Sequence, residues 1–309
     1  MSGLLEVREN LRNFYSKYEV YLIPLLKFVL ALTVLVFING SLGYNSRINN
    51  LVIVLVVALM CSFLPVNFSV VLGAVFIVLH MYSLAVECAL VSGVLFLLLF
   101  LLYFRFSPKD TLVLLLLPLA FTLRIPYVVV LAVGLLGTPV SIVSVSCGVM
   151  VYYLIYYVQT NAAIITSLDG DNPVARLHYV VEGMLNNKAM FVTMAAFAIT
   201  VILVYLIRRL SVDHAWTISM IVGIVTCIVM LLLGDLMFDV NSSIAAMIIG
   251  AIVSFLLAKV LEFFAFNVDY TRTEYVQFED DEYYYYVKAI PKNSVKKAKK
   301  TVKKITSVL

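Results

Sequence analysis

Six ionisable residues stand inside or at the edge of long apolar runs: Lys27, His80, Glu87, Arg124, Lys259 and Glu262. A charge held at membrane depth is costly, so such a residue pairs, snorkels, or marks the path of a proton, an ion or an anionic substrate. His80 and Glu87 are seven apart and share one face of any helix that continues between them. An imidazole beside a carboxylate can relay protons near neutral pH. The competing reading makes His80 a hydrogen-bonded bundle residue and Glu87 part of an outer turn. Arg124 is a guanidinium set among broken apolar segments, where it could bind an anionic headgroup or substrate. Together Arg124, His80 and Glu87 are the candidate substrate-binding residues. Lys259 and Glu262 are three apart and can pair on one helix surface. Lys27, about two turns into its run, can carry its head to the interface.

Other chemistries lack their residues. There is no GxxxxGK[ST] phosphate loop, no HExxH helix and no GxSxG elbow. His80, His178 and His214 are scattered, and Cys61, Cys88, Cys147 and Cys227 form no CxxC pair and read as small buried hydrophobes. Asp169-Gly170-Asp171 lacks the later ligands and closing Glu of a calcium loop. No catalytic residue, metal or cofactor is expected. An ATPase that drives this protein would be a separate chain.

The elements that position these residues are set by composition. Hydrophobic residues make up 63% of the 309 and charged residues 13%, against about 25% charged in an ordinary soluble domain. Mean hydropathy is +1.04. Lipid is therefore the solvent for most of the chain. The first twenty residues, with Glu6, Arg8, Glu9, Arg12, Lys17 and Glu19, do not read as a cleaved signal peptide. Leu4, Val7, Leu11, Phe14 and Tyr18 predict an amphipathic surface helix there. Apolar runs follow at 21–38, 50–64, 67–85 and 88–104, and later at 189–207, 216–233 and 243–265.

Residues 111–158 are apolar but broken by Pro118, Arg124, Pro126, Gly134, Gly137 and Pro139. The pattern predicts short helices at 111–123 and 126–137 and a longer one at 139–158. Pro- and Gly-interrupted short segments point to the broken helices that line transporter sites. The alternative is a pair of ordinary kinked spans with Arg124 at an interface. Asn172 and Pro173 suit the N-cap and first position of an interfacial helix at 173–188. The expected fold is thus an all-α integral membrane helical bundle at 21–266 with about ten transmembrane helices, or eight plus a re-entrant pair. A cytoplasmic N-terminal helix at 1–20 and a cytoplasmic tail at 267–309 flank it. An inside N-terminus puts Arg105, Lys109, Arg208, Arg209 and the Lys-rich tail in the cytoplasm, as the positive-inside rule asks. Val66-Asn67-Phe68-Ser69 and Val240-Asn241-Ser242-Ser243 open similar runs, a hint of an inverted repeat between the first and last three spans.

In the tail, Glu274–Phe278 and Glu282–Ala289, with Tyr283-Tyr284-Tyr285-Tyr286, predict a β-hairpin. After Pro291, Lys296, Lys297, Lys299, Lys300, Lys303 and Lys304 cover a basic amphipathic helix suited to anionic lipid. The alternatives are a protein partner and nucleic acid; nothing else in the chain supports the latter. The stretch Glu274–Lys292 resembles the ending of an uncharacterised multi-pass membrane protein family of Gram-positive bacteria, some members of which carry a permease-type label. The likeness is strongest over 265–292 and vaguer at 108–158. It implies residence in a bacterial cytoplasmic membrane and transfers no mechanism. Two functions are open: a transporter or permease-like subunit working with a partner membrane or ATPase subunit, and a scaffold for envelope assembly or morphogenesis acting through its tail.

Overall fold

The computed structural model describes residues 2–167, 173–238, 243–265, 274–279 and 284–289. The expected acidic turn at 169–172, the proposed repeat start at 240–242 and the Lys-rich helix at 294–309 lie outside the described residues. Two units are present, one of Met1–Val20 with Phe263–Leu309 and one of Tyr21–Glu262.

In the smaller unit an Arg8 Nη1 donates to the Phe263 carbonyl at 3.3 Å, with the guanidinium 5.6 Å from that residue's ring centre. Strands β1 (Glu274–Glu279) and β2 (Tyr284–Ala289) pair antiparallel, with Glu274 opposite Ala289 and Glu279 opposite Tyr284.

The larger unit is a helical bundle. Helix α1 (Ser2–Ser41) enters it after a break at Tyr18 (φ −115°, ψ 18°) and carries Pro24. Then come α2 (Leu51–Phe63), α3 (Val66–Leu84), α4 (Val86–Phe106), α5 (Thr111–Thr122), α6 (Pro126–Leu136), a 3-10 turn at Pro139–Ser141, α7 (Ile142–Ser167), α8 (Pro173–Leu185), α9 (Lys188–Arg208), α10 (Ala215–Phe238) and α11 (Ile244–Ala265). Seven helical stretches among the described residues are long and apolar enough to cross a membrane, one of them, Val174–Arg208, taking in both α8 and α9. Leu51–Phe63, Thr111–Thr122 and Pro126–Leu136 are apolar but shorter. The chain is a multi-pass, membrane-embedded helical protein. Lipid-type exteriors show on α2, α4, α10 and α11, where Phe63, Leu101, Leu236 and Ile249 are largely exposed.

Side-chain knots tie the helix ends together. At one end the buried Tyr103 hydroxyl of α4 lies within hydrogen-bonding distance of Asn67 Oδ1 (3.2 Å), the Pro108 carbonyl (3.1 Å) and Thr111 Oγ1 (2.8 Å). Thr111 also donates to Asn67. Ser107 and Ser144 hydroxyls meet at 2.6 Å, joining α4 to α7. Lys27 Nζ reaches the Leu64 carbonyl at 3.2 Å, and Ser62 donates to the Pro24 carbonyl at 2.8 Å. At the other end Asn50 caps α2 by accepting from the Val52 N–H. Helix α8 docks there through Arg176, 3.7 Å from Glu87 on α4. Tyr157 of α7 donates to the Tyr179 carbonyl, and Tyr179 donates to Asn161. Val180 and Met184 are the buried face of α8, and Val174 and Leu185 stay exposed.

The expected end of the third central helix at 158 falls short, because α7 runs on to Ser167. Its polar last turns satisfy themselves: Thr160, Asn161, Thr166 and Ser167 each bond back to a carbonyl three or four residues earlier, and Ile165 is fully buried.

Replacing Tyr103 by Phe removes a buried hydroxyl from the knot, and should lower unfolding stability in detergent by about 1–2 kcal/mol. A wild-type midpoint in thermal denaturation would show that the knot contributes nothing.

Candidate functional site

The broken stretch becomes a helical hairpin, α5–α6. Pro118 sits inside α5, so it donates no hydrogen bond to the Leu114 carbonyl. Its own carbonyl accepts from Thr122 Oγ1 at 3.1 Å. The turn at Arg124 has a specific construction. The Ile125 N–H reaches back to the Ala120 carbonyl (2.8 Å) and the Arg124 N–H to that of Phe121 (3.0 Å). This is the Schellman pattern of a helix C-terminus. Arg124 is in the left-handed region, φ 60°, a position normally given to glycine because a Cβ there costs about 1–2 kcal/mol. Pro126 then starts α6 at its first position, where the missing N–H costs nothing.

Close contacts hold the hairpin against its neighbours. A Cβ on Gly134 of α6 would lie 2.7 Å from Val204 of α9. A Cβ on Gly250 of α11 would overlap the Arg124 carbonyl itself. Around the tip, Phe121 stacks on Tyr152 of α7, ring centres 4.3 Å apart, and packs on Phe197 of α9 at 5.7 Å. Tyr127 meets Phe197 edge-on at 6.3 Å. Tyr153 and Thr193 hydroxyls are 3.0 Å apart. Thr193 gives its hydrogen to the Ala189 carbonyl, so Tyr153 is the donor. The Arg124 side chain is exposed rather than enclosed, and its charge acts on Tyr152. The Asp235 carboxylate, opposite in charge, acts on Tyr127 and Tyr153 in the opposite sense.

The base of the hairpin is tied at the opposite end. Gly137 closes α6, and its carbonyl accepts from Arg208 Nη2 at 2.8 Å. Pro139 opens the 3-10 turn, whose Thr138 and Ser141 cap each other. Between the two arms runs a crevice of about 390 Å³ with apolar walls and Lys109, Asp110 and Ser141 at its mouth. A second open groove, of about 540 Å³, lies between α3 and α4 with apolar lining, and a small apolar cavity of about 40 Å³ lies where α1, α3, α4, α5 and α7 meet.

His80 and Glu87 are not brought together. Ala85 is extended (φ −159°, ψ 141°), so α3 stops at Leu84 and α4 begins at Val86. The shared face assumed by their spacing does not exist. His80 is fully buried. Its Nδ1 accepts from the Asn45 N–H at 3.2 Å, which leaves Nε2–H to donate to Asn39 Oδ1 at 2.8 Å. Asn39 in turn donates to the Ile48 carbonyl at 3.0 Å. The ring is neutral and fully used in pinning the α1–α2 loop. Glu87 belongs to the docking of α8. Lys259 pairs with Glu262 at 2.7 Å and also donates to Thr217 Oγ1 at 2.5 Å, linking α11 to α10. The candidate lipid-binding lysines 296–304 lie outside the described residues. Among the described residues no group of three His, Cys, Asp or Glu side chains could hold a metal ion.

No family model, curated protein or solved structure matches this chain. The likeness of its C-terminal stretch to an uncharacterised family gains nothing from them.

Arg124→Gly should raise stability by about 1 kcal/mol, because it keeps the turn and removes the left-handed Cβ penalty. Gly250→Val should cost about 3 kcal/mol through overpacking, while Gly93→Ala, in open space, should be neutral. Thermal denaturation of the three purified variants checks this; destabilisation by Arg124→Gly would mean that the arginine side chain holds the turn.

Proposed function

We propose that the chain is a permease-like membrane transporter whose substrate is an amphiphile taken from the bilayer, with the α5–α6 hairpin as the receiving element. The observation that carries this reading is the hairpin's length. Its arms have 12 and 11 residues, hence about 18 and 16 Å, against a hydrocarbon core of roughly 30 Å. Both arms start and finish at the end where Arg208 holds Gly137 and Tyr103 holds Thr111. The turn meets α11 at Gly250, about 9 Å inside the start of that helix at Ile244. Short interrupted helices of this kind surround substrate sites in many transporters. The apolar walls of the crevice offer little to a sugar or a free ion and much to a hydrocarbon chain.

On this reading eight helices cross the membrane, α5–α6 re-enters it, and both termini are cytoplasmic. The end bearing Arg105, Lys109, Arg208 and Arg209 is then the inner one, as the distribution of Lys and Arg asks. The compartment is a bacterial cytoplasmic membrane, and the tail lysines 296, 297, 299, 300, 303 and 304 hold the C-terminus to its anionic leaflet. Any ATPase subunit is a partner chain. Arg124, with Tyr152 near it, is the outer station at which a headgroup pauses.

Two measurements test this. The native cysteines are all buried, so single reporters are clean. Ser46→Cys should react with an impermeant maleimide on intact cells, and Thr138→Cys only after permeabilisation; labelling of both on intact cells would sink the topology. In proteoliposomes carrying a fluorophore-labelled phospholipid, dithionite should bleach the inner-leaflet pool at a rate set by the protein. Arg124→Gly, stable by the argument above, should slow that step about tenfold, the loss of one charge-assisted hydrogen bond. Bleaching no faster than in protein-free vesicles would refute amphiphile transport and favour a scaffold.

A further inference from the structure

The crevice between α5 and α6 has two chemistries. Its walls are one face of each arm: Leu112 and Leu116 from α5, Val128, Ala132 and Leu136 from α6. They repeat every four residues, so each set forms an apolar strip along its arm. The mouth is polar, and Arg208, bonded to the carbonyl of a lining residue, brings a second cation to it. Lys109 is exposed there beside Asp110. Arg208 reaches the same rim through its bond to the Gly137 carbonyl, and its Nε–H is enclosed with no hydrogen-bond partner. Helix α5 also begins at the mouth, and the Asp110 side chain does not cap it. Its first N–H groups and the positive end of its dipole therefore add to the two cations. Among the described lining residues the one carboxylate is Asp110, set against Lys109 and the adjacent Arg208. A donor-rich, positively charged rim above an apolar slot is complementary to a ligand with one anionic head and one hydrocarbon chain.

We propose that this crevice binds an anionic membrane phospholipid, with one acyl chain between α5 and α6 and the phosphate at the rim between Lys109 and Arg208. The proposal rests on the membrane-embedded hairpin described above and names the headgroup class its substrate carries. A zwitterionic lipid has the same chain but brings its own cation to the rim. Selectivity therefore lies with Lys109 and Arg208, and capacity for the chain lies with the walls. A lysine near an anionic lipid surface contributes on the order of a fivefold preference.

The test reads the crevice locally and needs no translocation. The chain has one tryptophan, so Ala132→Trp on a Trp216→Phe background places a single fluorophore in the wall. Leu136→Trp, at an exposed rim position, is a second reporter should the first variant misfold. Leu256→Trp, on the exposed face of α11, reports bulk lipid. In nanodiscs of mixed phosphatidylglycerol and phosphatidylcholine, only one of the two carries brominated acyl chains in each sample. The expected result is that brominated phosphatidylglycerol quenches the crevice reporters as if enriched about fivefold, with no enrichment at Leu256→Trp. Lys109→Gln should remove most of that preference without lowering quenching by brominated phosphatidylcholine. Equal quenching by the two lipids at the crevice would overturn the proposal, as would a preference that survives both Lys109→Gln and Arg208→Gln. Preferential binding without any dithionite-detected exchange would leave this site standing and remove the transport reading; exchange of all headgroups alike would do the reverse.

Discussion

In hydrocarbon a backbone N–H or C=O has no water to bond, and each one left unpaired costs several kcal/mol. Most of what is unusual in this bundle answers that demand. Long helices satisfy it internally, and the difficulty concentrates at breaks. The α5–α6 turn meets it with two backward bonds, to Ala120 and Phe121, and with a proline that has no N–H to satisfy. Pro118 leaves an open carbonyl within α5, yet its own carbonyl is supplied by Thr122. At the helix ends the same demand is met by side chains. Arg208 takes the carbonyl of Gly137, Lys27 that of Leu64 and Ser62 that of Pro24. Charged and hydroxyl groups that look functional in an apolar sequence are thus, in several places, the partners of main-chain atoms.

The second constraint is that lipid gives helices little reason to associate, so they must fit closely. Glycines supply the closeness where the hairpin is held: Gly134 against Val204, Gly250 against the Arg124 carbonyl, and Gly148 of α7 against Leu117 of α5. Aromatic stacking of Phe121 between Tyr152 and Phe197 adds to the same side. The hairpin is therefore locked to α7, α9 and α11 along its outer faces, whereas the space between its own arms is left unfilled. A core built only for stability fills such space. Here the filled and unfilled sides belong to the same 26 residues, Thr111–Leu136.

Much of this was legible in the residue pattern, and the remainder failed for identifiable reasons. Prolines and glycines at 118, 126, 134, 137 and 139 mark the broken stretch because their effects are local to the backbone. The left-handed turn at Arg124 is not legible, since the position that signals it is normally glycine. The seven-residue spacing of His80 and Glu87 assumes one helix, and Ala85 interrupts it. The real partner of His80, Asn39, is 41 residues away, and a pairing at that separation leaves no periodic trace. Arg208 reads as a charge that sets orientation, yet its hydrogen bond is to Gly137, 71 residues earlier. The apolar pattern of α7 ends at 158 because Thr, Asn and Ser follow, residues that favour loops, yet their bonds back to earlier carbonyls continue the helix to Ser167.

The same bonds decide where charge can be handled. For His80 to accept a proton at Nδ1 it would have to surrender the Asn45 N–H, and with it the anchor of the α1–α2 loop. Donation from Nε2 would strip Asn39 of its partner and leave a buried carbonyl oxygen unpaired, a loss of about 1–3 kcal/mol. A proton path through this residue thus requires the loop to open at each passage. Arg124 and Lys109 carry no such burden: both are exposed, one at the tip of the hairpin and one at its base. Among the described residues, the cavities at the centre, between α3 and α4, and between the hairpin arms are walled mainly by apolar side chains, which give a hydrated solute few groups to bond.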